Sequence, residues 1–265
     1  MTDVRVSPDP EMVVSKIPAQ IGVAVADLCR GPGGPRDRQL LFGDTVHVLN
    51  RQSDVSLVRA TKDGYCGYVT NDQLSEVSEA THRVTARAAH LYQSPDIKSK
   101  ETGWLSFGSR LAAIGETATF IETVRGYVPR QHVHGMDATG TDPAAIAEIF
   151  LGTPYLWGGN SHLGIDCSGL VQAACLACAI PCPGDSDQQA AGLGVELATT
   201  ESLRRNDLVF WKGHVALVYD AQTLIHANAG HMAVVFEPVK EAFARIEAQG
   251  DGAPTGFRRL PVVEN

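Results

Sequence analysis

The chain has 265 residues, 44% of them hydrophobic and 20% charged, with a formal net charge of −8. This composition is typical of a soluble globular protein with one large domain or two to three small ones. The acidic balance and the lack of a Lys/Arg-rich run argue against a nucleic-acid-binding surface, which needs clustered cations. No apolar run is long enough to span a membrane, and the first residues do not resemble a signal peptide. We therefore expect a cytoplasmic protein that binds neither nucleic acid nor membranes.

The six cysteines are expected to be free thiols, because disulfides belong mainly to secreted proteins. Cys175, Cys178 and Cys182 are spaced like part of a metal or redox cluster. The sequence has no second Cys/His pair at zinc-finger spacing to complete such a site. We interpret the three cysteines as small core residues and predict no metal and no cofactor.

Residues 1–20 are rich in proline and lack helical periodicity, which predicts an extended N-terminal arm. Residues 21–78 and 79–136 then form a loose repeat. Each copy has short alternating strands, a Phe-Gly turn that leads into a strand, and a closing Gly-Tyr-Val motif. Short strands broken by Gly, Pro and Asp at this spacing predict two small β-barrels. The pattern resembles that of bacterial SH3-like domains.

Residues 137–265 follow a different pattern. Asp142 and Pro143 form an N-cap and first-position pair that predicts a helix over residues 144–151. A glycine-rich segment precedes a second predicted helix over residues 167–179, which the prolines after it terminate. Three strands are predicted next, over residues 208–211, 214–219 and 224–227. Helices followed by hairpin-linked strands predict an α+β domain.

Cys167 is the first residue of the second predicted helix, where unpaired N–H groups and the helix dipole favour a thiolate. His214 and His226 lie on consecutive strands. A hairpin centred on Asp220 would make them direct cross-strand neighbours, about 5 Å apart at Cβ. Because a nucleophilic thiol needs a base and a group that orients that base, the constellation predicts a cysteine hydrolase. His231 competes for the third position, although its surroundings indicate a turn.

Each of these residues also has a structural interpretation. A cysteine at a helix start is more often structural than catalytic, and a lone strand histidine is usually just a half-buried polar residue. Asp166 is a good N-cap for the helix that begins at Cys167. Tyr65 and Tyr68 suit alternating positions of a barrel strand. An N-cap role for Asp166 is compatible with a second role in substrate binding.

Several motifs in the C-terminal half resemble those of the NlpC/P60 cysteine peptidases over residues 140–262. They are GTPYLWGG at residues 152–159, DCSGLV at 166–171, DLVFWKGHVALV at 207–218 and IHA at 225–227. The resemblance implies a papain-like fold and activity on peptidoglycan stem peptides. It also implies roles for four residues: Cys167 as nucleophile, His214 as general base, His226 as the orienting third residue and Tyr155 as an oxyanion donor.

Two SH3-like domains ahead of an NlpC/P60 domain are similar to the γ-D-glutamyl-L-diamino acid endopeptidases that recycle cell-wall peptides. That resemblance implies a small murein peptide as substrate, cleaved through a thioester. Its free L-Ala amine would be bound by Asp166, Tyr65 and an acid of the first barrel, for which we take Asp44. Ser168 and Ser186 would face the D-glutamyl α-carboxylate. Gly184 stands where the family often has an arginine, so one local contact of the family is in question.

Three other functions are compatible with the sequence. The first is a general peptidoglycan hydrolase whose SH3-like domains bind intact cell wall. The second is a non-catalytic binding protein on a peptidase scaffold, and the third is an acyltransferase on the same fold. The sequence leaves open whether the diamino acid is diaminopimelate or lysine, and we take a monomer as the default oligomeric state.

Overall fold

The computed structural model describes residues 3–198 and 203–261 and is rich in antiparallel sheet, with few helices. The chain divides into two compact units between Ala138 and Thr139. We refer to them as the N-terminal unit and the C-terminal unit. In the described residues, no helix is long and apolar enough to cross a membrane.

The described residues of the N-terminal unit form short strands and three single-turn 3₁₀ helices. The strands are β1 (Ile17–Ile21), β2 (Val25–Cys29), β3 (Arg36–Leu41), β4 (Thr45–Arg51), β5 (Val55–Ala60), β6 (Cys66–Thr70), β7 (Leu74–Ser75), β8 (His82–Val84), β9 (Ala88–Tyr92), β10 (Glu101–Ser106), β11 (Arg110–Leu111), β12 (Gly115–Glu116), β13 (Phe120–Thr123), β14 (Gly126–Pro129) and β15 (Val133–Gly135). The 3₁₀ helices are Pro10–Met12, Asn71–Gln73 and Arg130–His132.

The first predicted repeat corresponds to a seven-stranded sheet with the order β3-β2-β6-β5-β4-β1-β7. Its core is formed by inward-facing aliphatic residues such as Ile21, Leu28 and Val46, each at most 1% exposed. β1 begins at Ile17 and pairs with β4. The extended arm that we predicted to reach residue 20 therefore ends earlier, because its last apolar residues join this sheet.

The second repeat has its own core, which includes Val84, Leu105 and Ile121. Its strands lie in two antiparallel sheets, β10-β9-β14-β13-β12 and β11-β8-β15. The Phe-Gly turns recur in both repeats: Gly43 and Gly108 have φ angles of 77° and 86°, which favour glycine. The repeat in the sequence thus corresponds to a repeated turn. A closed barrel in each copy stays a prediction.

The C-terminal unit combines short helices with one larger sheet. Its elements are α1 (Pro143–Glu148), β16 (Asn160–Ser161), β17 (Gly164–Ile165), α2 (Cys167–Ala177), α3 (Ser186–Gly192), β18 (Val195–Glu196), β19 (Asp207–Trp211), β20 (His214–Asp220), β21 (Thr223–Asn228), β22 (Ala233–Pro238), α4 (Val239–Ala248) and β23 (Gly256–Arg259). The sheet is antiparallel, with the order β18-β23-β19-β20-β21-β22. This is the α+β layout that the sequence predicts.

The first helix of this unit begins as predicted, since the Asp142 carboxylate accepts a hydrogen bond from Ala144 N–H at 3.2 Å. It ends at Glu148, before the predicted residue 151. α2 ends at Ala177 rather than at residue 179, and each of the three predicted strands is one or two residues longer than expected. These differences lie at element ends, where a sequence pattern is least informative.

α2 is buried along most of its length, with Leu170, Val171 and Ala174 at most 1% exposed. The predicted core role of the neighbouring cysteines is confirmed, because Cys175 and Cys178 are buried, as is Cys182, and all six cysteines are free thiols. A helix enclosed in this way holds its first residue in a fixed position. That residue is Cys167.

Candidate active site

Asp166 caps the helix that begins with Cys167. One oxygen of its carboxylate accepts hydrogen bonds from Gly169 N–H at 2.6 Å and from the Ser168 hydroxyl at 3.1 Å. The other oxygen accepts a hydrogen bond from Gly158 N–H at 2.9 Å. The N-cap interpretation is therefore confirmed, and the same carboxylate ties the helix start to the glycine-rich segment before it.

The glycine-rich segment approaches the helix start too closely for side chains. A Cβ atom on Gly159 would lie 2.5 Å from the carbonyl oxygen of Gly164, and Gly158 has a φ of 69°. The Gly159 carbonyl oxygen in turn accepts a hydrogen bond from Asp166 N–H at 3.1 Å. Glycine at these positions lets the backbone support the residue before Cys167 directly.

Cys167 is only 6% exposed. Burial, followed by the charge of Asp166, raises its pKa to about 12, although backbone N–H groups of Val215, Ser168 and Cys167 act in the opposite direction. Our expectation that the helix start makes a thiolate is wrong for the net effect, because the loss of hydration exceeds the contribution of the helix N–H groups. The thiol needs a base.

His214 and His226 lie in contact. Nε2 of His214 is 3.0 Å from Nδ1 of His226, and their ring centroids are 5.2 Å apart. The hairpin register differs from the one we predicted, because Val218 pairs with Leu224 and a bulge follows before Asp220. The histidines are therefore diagonal rather than direct neighbours. Both still face the same side of the sheet, and aromatic side chains reach across a diagonal.

His214 is unprotonated in the free protein. Burial, followed by the charges of His226 and Arg245, lowers its pKa to about 3. The ring of Trp211 packs against it with centroids 5.6 Å apart. The imidazole is consequently neutral at physiological pH, as a general base must be.

Glu237 and Arg245 extend the contact between the two histidines into a hydrogen-bonded line. The sequence analysis did not predict either residue as part of the site. Nε2 of His226 lies 2.8 Å from Oε2 of Glu237, and Arg245 donates two hydrogen bonds to that carboxylate, both at 2.7 Å. The one signal in the sequence is an acid within the otherwise apolar run AVVFEP at residues 233–238. His231, the competing third residue, lies in the turn that we expected.

Two known protein families match the chain, one in each unit. The NlpC/P60 family profile matches residues 152–248, and the profile "Bacterial dipeptidyl-peptidase Sh3 domain" matches residues 28–74. The chain is 31% identical over 218 residues to Dipeptidyl-peptidase 6 of Lysinibacillus sphaericus, which covers 72% of this chain and 80% of that protein. It is 32% identical over 219 residues to a gamma-D-glutamyl-L-lysine dipeptidyl-peptidase of Bacillus subtilis strain 168, which covers 71% of each. The chain belongs to the NlpC/P60 family of cysteine peptidases.

The fold is also similar to that of a solved NlpC/P60 family protein from Bacillus cereus ATCC 10987. The TM-score is 0.77 at 23% identity, over 92% of this chain and all of that one (100%). Together with the SH3 profile, this shows an NlpC/P60 fold with an SH3-like domain, as the motifs imply. The NlpC/P60 match spans Cys167, His214 and His226, and also Glu237 and Arg245.

The oxyanion donor expected in an NlpC/P60 peptidase is Tyr155. Its phenol is half-buried, and its pKa is raised well above the ordinary value by burial and by the charges of Cys167 and Asp166. The phenol is thus protonated and within electrostatic reach of both residues. Its backbone is held by a hydrogen bond from Tyr155 N–H to the Met232 carbonyl oxygen at 2.9 Å. The oxyanion role itself stays a prediction.

The predicted carboxylate-binding serines belong to two helices that one glutamine connects. The side chain of Gln189 donates to the carbonyl oxygens of Ser168 and Pro183, both at 3.0 Å. Ser186 is the first residue of α3, just after its N-cap Asp185. The Ser168 hydroxyl donates to Asp166, so a substrate carboxylate at Ser168 would need that hydroxyl to change partners.

The two predicted substrate-binding residues of the N-terminal unit are both buried. Asp44 accepts a hydrogen bond from Leu41 N–H at 3.0 Å and forms an ion pair with Lys62 at 2.6 Å. Tyr65 is 3% exposed and lies in the core of the first sheet, with the guanidinium of Arg38 5.8 Å from its ring centroid. These contacts give both residues a structural role. Their contact with substrate stays a prediction.

Proposed function

We propose that this chain is a cysteine endopeptidase that hydrolyses the γ-D-glutamyl–diamino acid bond of short murein peptides with a free N-terminal L-Ala. The observation that carries the proposal is the placement of Cys167 at the capped start of α2, together with the 3.0 Å contact between His214 and His226. The name of the Bacillus subtilis relative, gamma-D-glutamyl-L-lysine dipeptidyl-peptidase, supports the choice of a γ-D-glutamyl bond. We further propose that the products serve the recycling of cell-wall peptides.

The reaction proceeds by acyl transfer through the Cys167 sulfur. His214 accepts the thiol proton as the sulfur attacks the γ-carbonyl carbon, and the Tyr155 phenol stabilises the oxyanion that forms. The amide C–N bond then breaks, and His214 returns the proton to the departing amine of the diamino acid. A water molecule, deprotonated by His214, hydrolyses the resulting thioester and regenerates the thiol.

Recognition of the substrate amine would select peptides that have been released from the wall. An ammonium group in a closed site is costly to leave unpaired, so a nearby carboxylate favours a free N-terminus over an acylated one. Asp166 is 8% exposed and adjoins the nucleophile, which suits this role. In the proposal, Ser168 and Ser186 bind the D-glutamyl α-carboxylate, and contact of Tyr65 and Asp44 with the substrate stays a prediction.

The experiment that tests the proposal compares three substrates at equal concentration, with products quantified by mass spectrometry. They are L-Ala-γ-D-Glu-diamino acid, its N-acetyl derivative and intact sacculi, and the diamino acid is supplied as lysine and as diaminopimelate in separate reactions. We expect cleavage of the free tripeptide alone. Equal rates on free and acetylated peptides would contradict amine recognition. Cleavage of sacculi alone would show that the chain acts on intact cell wall instead.

A further inference from the structure

Four side chains form one hydrogen-bonded line across three strands and a helix of the C-terminal unit. His214 on β20 contacts His226 on β21 at 3.0 Å, and His226 contacts Glu237 on β22 at 2.8 Å. Arg245 on α4 then binds Glu237 through Nε and Nη2, each at 2.7 Å. The proposed mechanism uses only the first two members of this line.

The inner part of the line is isolated from solvent. His226 is 1% exposed and Glu237 5% exposed. Burial alone would raise the pKa of Glu237, but hydrogen bonds from Arg245 and His226 outweigh this effect and lower that pKa to about 2. Glu237 is therefore an anion throughout the neutral range. A buried carboxylate with two charge-assisted bonds from one guanidinium is held rigidly.

An ionised carboxylate accepts hydrogen bonds and donates none. Nε2 of His226 must therefore carry a proton toward Glu237. Burial lowers the pKa of His226, so the ring is neutral and its Nδ1 has a lone pair. That lone pair accepts a hydrogen bond from the N–H at Nε2 of His214, since the two nitrogens are 3.0 Å apart. The remaining nitrogen of His214, Nδ1, is consequently unprotonated and available as a base.

We propose that Glu237 is a positioning residue that selects the base tautomer of His214 through His226, and that Arg245 holds Glu237 in place. The proposal rests on the roles assigned to Cys167 and His214 in the proposed function. In this proposal His226, the third residue of the site, is itself oriented by Glu237. The anion also stabilises positive charge on His214 when this residue takes the thiol proton.

The groups that face His214 and His226 act in opposing directions. Glu237 favours the protonated forms of both histidines, whereas Arg245 disfavours them, as does His231 for His226. Removing the anion while Arg245 remains would make His214 a weaker proton acceptor. Transfer of the Cys167 proton to His214 during attack would then be slower.

The test is the pH dependence of Cys167 alkylation by iodoacetamide, measured for each cysteine separately by peptide mass spectrometry. The variants are Glu237→Gln, which keeps the shape and removes the charge, and Glu247→Gln as the matched control. Glu247 is an exposed acid on the same helix, α4. Thermal melts would be recorded for each protein so that rates refer to folded molecules.

We expect Glu237→Gln to lower the alkylation rate at neutral pH about tenfold, because His214 becomes a weaker acceptor for the thiol proton. The kcat for the tripeptide should fall about 100-fold with little change in KM, as when the partner that orients a catalytic histidine is altered. Glu247→Gln should match wild type. A purely structural role for Glu237 would lower the melting temperature and leave the alkylation rate of folded protein unchanged, which would overturn the proposal.

A second measurement needs no variant and no substrate. The ¹⁵N chemical shifts of labelled wild-type protein report which ring nitrogen of each histidine is protonated. We expect both His214 and His226 to be protonated at Nε2 and unprotonated at Nδ1. A proton on Nδ1 of either would overturn the proposal. If these results hold and the tripeptide is not cleaved, the substrate assignment has failed and the positioning role stands.

Discussion

The thiol of Cys167 and the imidazole of His214 have pKa shifts in opposite directions, and both shifts disfavour charge. With a pKa raised to about 12, the thiol is protonated at neutral pH, and with a pKa lowered to about 3, the imidazole is unprotonated there. Burial is the main cause of both shifts. In the proposed mechanism, proton transfer from Cys167 to His214 therefore accompanies attack on the substrate rather than preceding it.

The carboxylate of Asp166 contributes to the raised pKa of Cys167. We predict that Asp166→Asn lowers that pKa, so that alkylation of Cys167 at a given alkaline pH becomes at least about threefold faster, equivalent to half a pKa unit. The same change should reduce cleavage of the free tripeptide about 10- to 100-fold, because the substrate ammonium loses its charged partner. The measurement pairs alkylation kinetics with a cleavage assay on one preparation.

Asparagine caps helices about as well as aspartate, but its amide nitrogen cannot accept the hydrogen bond from Gly158 N–H, so thermal melts would be recorded for both proteins. A variant that alkylated more slowly, or that cleaved the tripeptide at the wild-type rate, would refute the role of Asp166. Faster alkylation of Cys167 together with slower cleavage of the tripeptide distinguishes this role from a loss of structure. Simple unfolding would expose all the cysteines to the reagent, and peptide-resolved data would detect it.

The elements around Cys167 depend on glycines that allow close backbone approach. β16 and β17 form a two-stranded ladder just before α2. Gly159 lies beside it, and its carbonyl oxygen holds Asp166 N–H. Crowding at this position would displace the N-cap and, with it, the first turn of α2.

We predict that Gly159→Ala lowers the free energy of unfolding by about 1–3 kcal/mol, as overpacking does. Cleavage should fall with it, because the new Cβ would lie 2.5 Å from the Gly164 carbonyl oxygen. Gly192→Ala is the matched control, since that position has no heavy atom within 4 Å of the added Cβ. Chemical denaturation of both variants would check this, and equal stabilities would show that the packing argument is wrong.

Individual elements differed in how well the sequence predicts them. The start of α2 at Cys167 and the strands β19 to β21 follow from an N-cap, a terminating proline and alternating apolar residues. The contact between His214 and His226 also follows, although the hairpin register does not, because the bulge after Val218 depends on tertiary packing. The Glu237–Arg245 pair could not be predicted from spacing, since it depends on how α4 packs against β22.

Over the whole molecule, the two units have separate cores, and the division between them falls at residues 138 and 139. The repeat in the N-terminal unit is visible in the sequence because its Phe-Gly turns recur. The sequence does not reveal that the second copy is split into two sheets, since strand pairing between distant segments leaves no local pattern. Likewise, the burial of Asp44 against Lys62 depends on neighbours brought in by folding.

Contact of Tyr65 with the substrate amine is one of the proposed interactions. We predict that Tyr65→Phe, which keeps the packing and removes one hydroxyl, reduces kcat/KM for the free tripeptide about tenfold, as expected for a lost hydrogen bond to a charged group. Alkylation of Cys167 should stay unchanged. Tyr68→Phe, in the same motif and half-buried, serves as the control. If both variants cleave the tripeptide like wild type, Tyr65 has a structural role only.

The most direct test of the account is to trap the acyl-enzyme. Wild-type protein and Cys167→Ala would be mixed with L-Ala-γ-D-Glu-diamino acid, quenched in acid and analysed by peptide mass spectrometry. We predict an L-Ala-D-Glu acyl group on the peptide that contains Cys167 in wild type, and at least about a 10³-fold loss of turnover in the variant. Cleavage that persists in Cys167→Ala, or an adduct on another residue, would contradict the account.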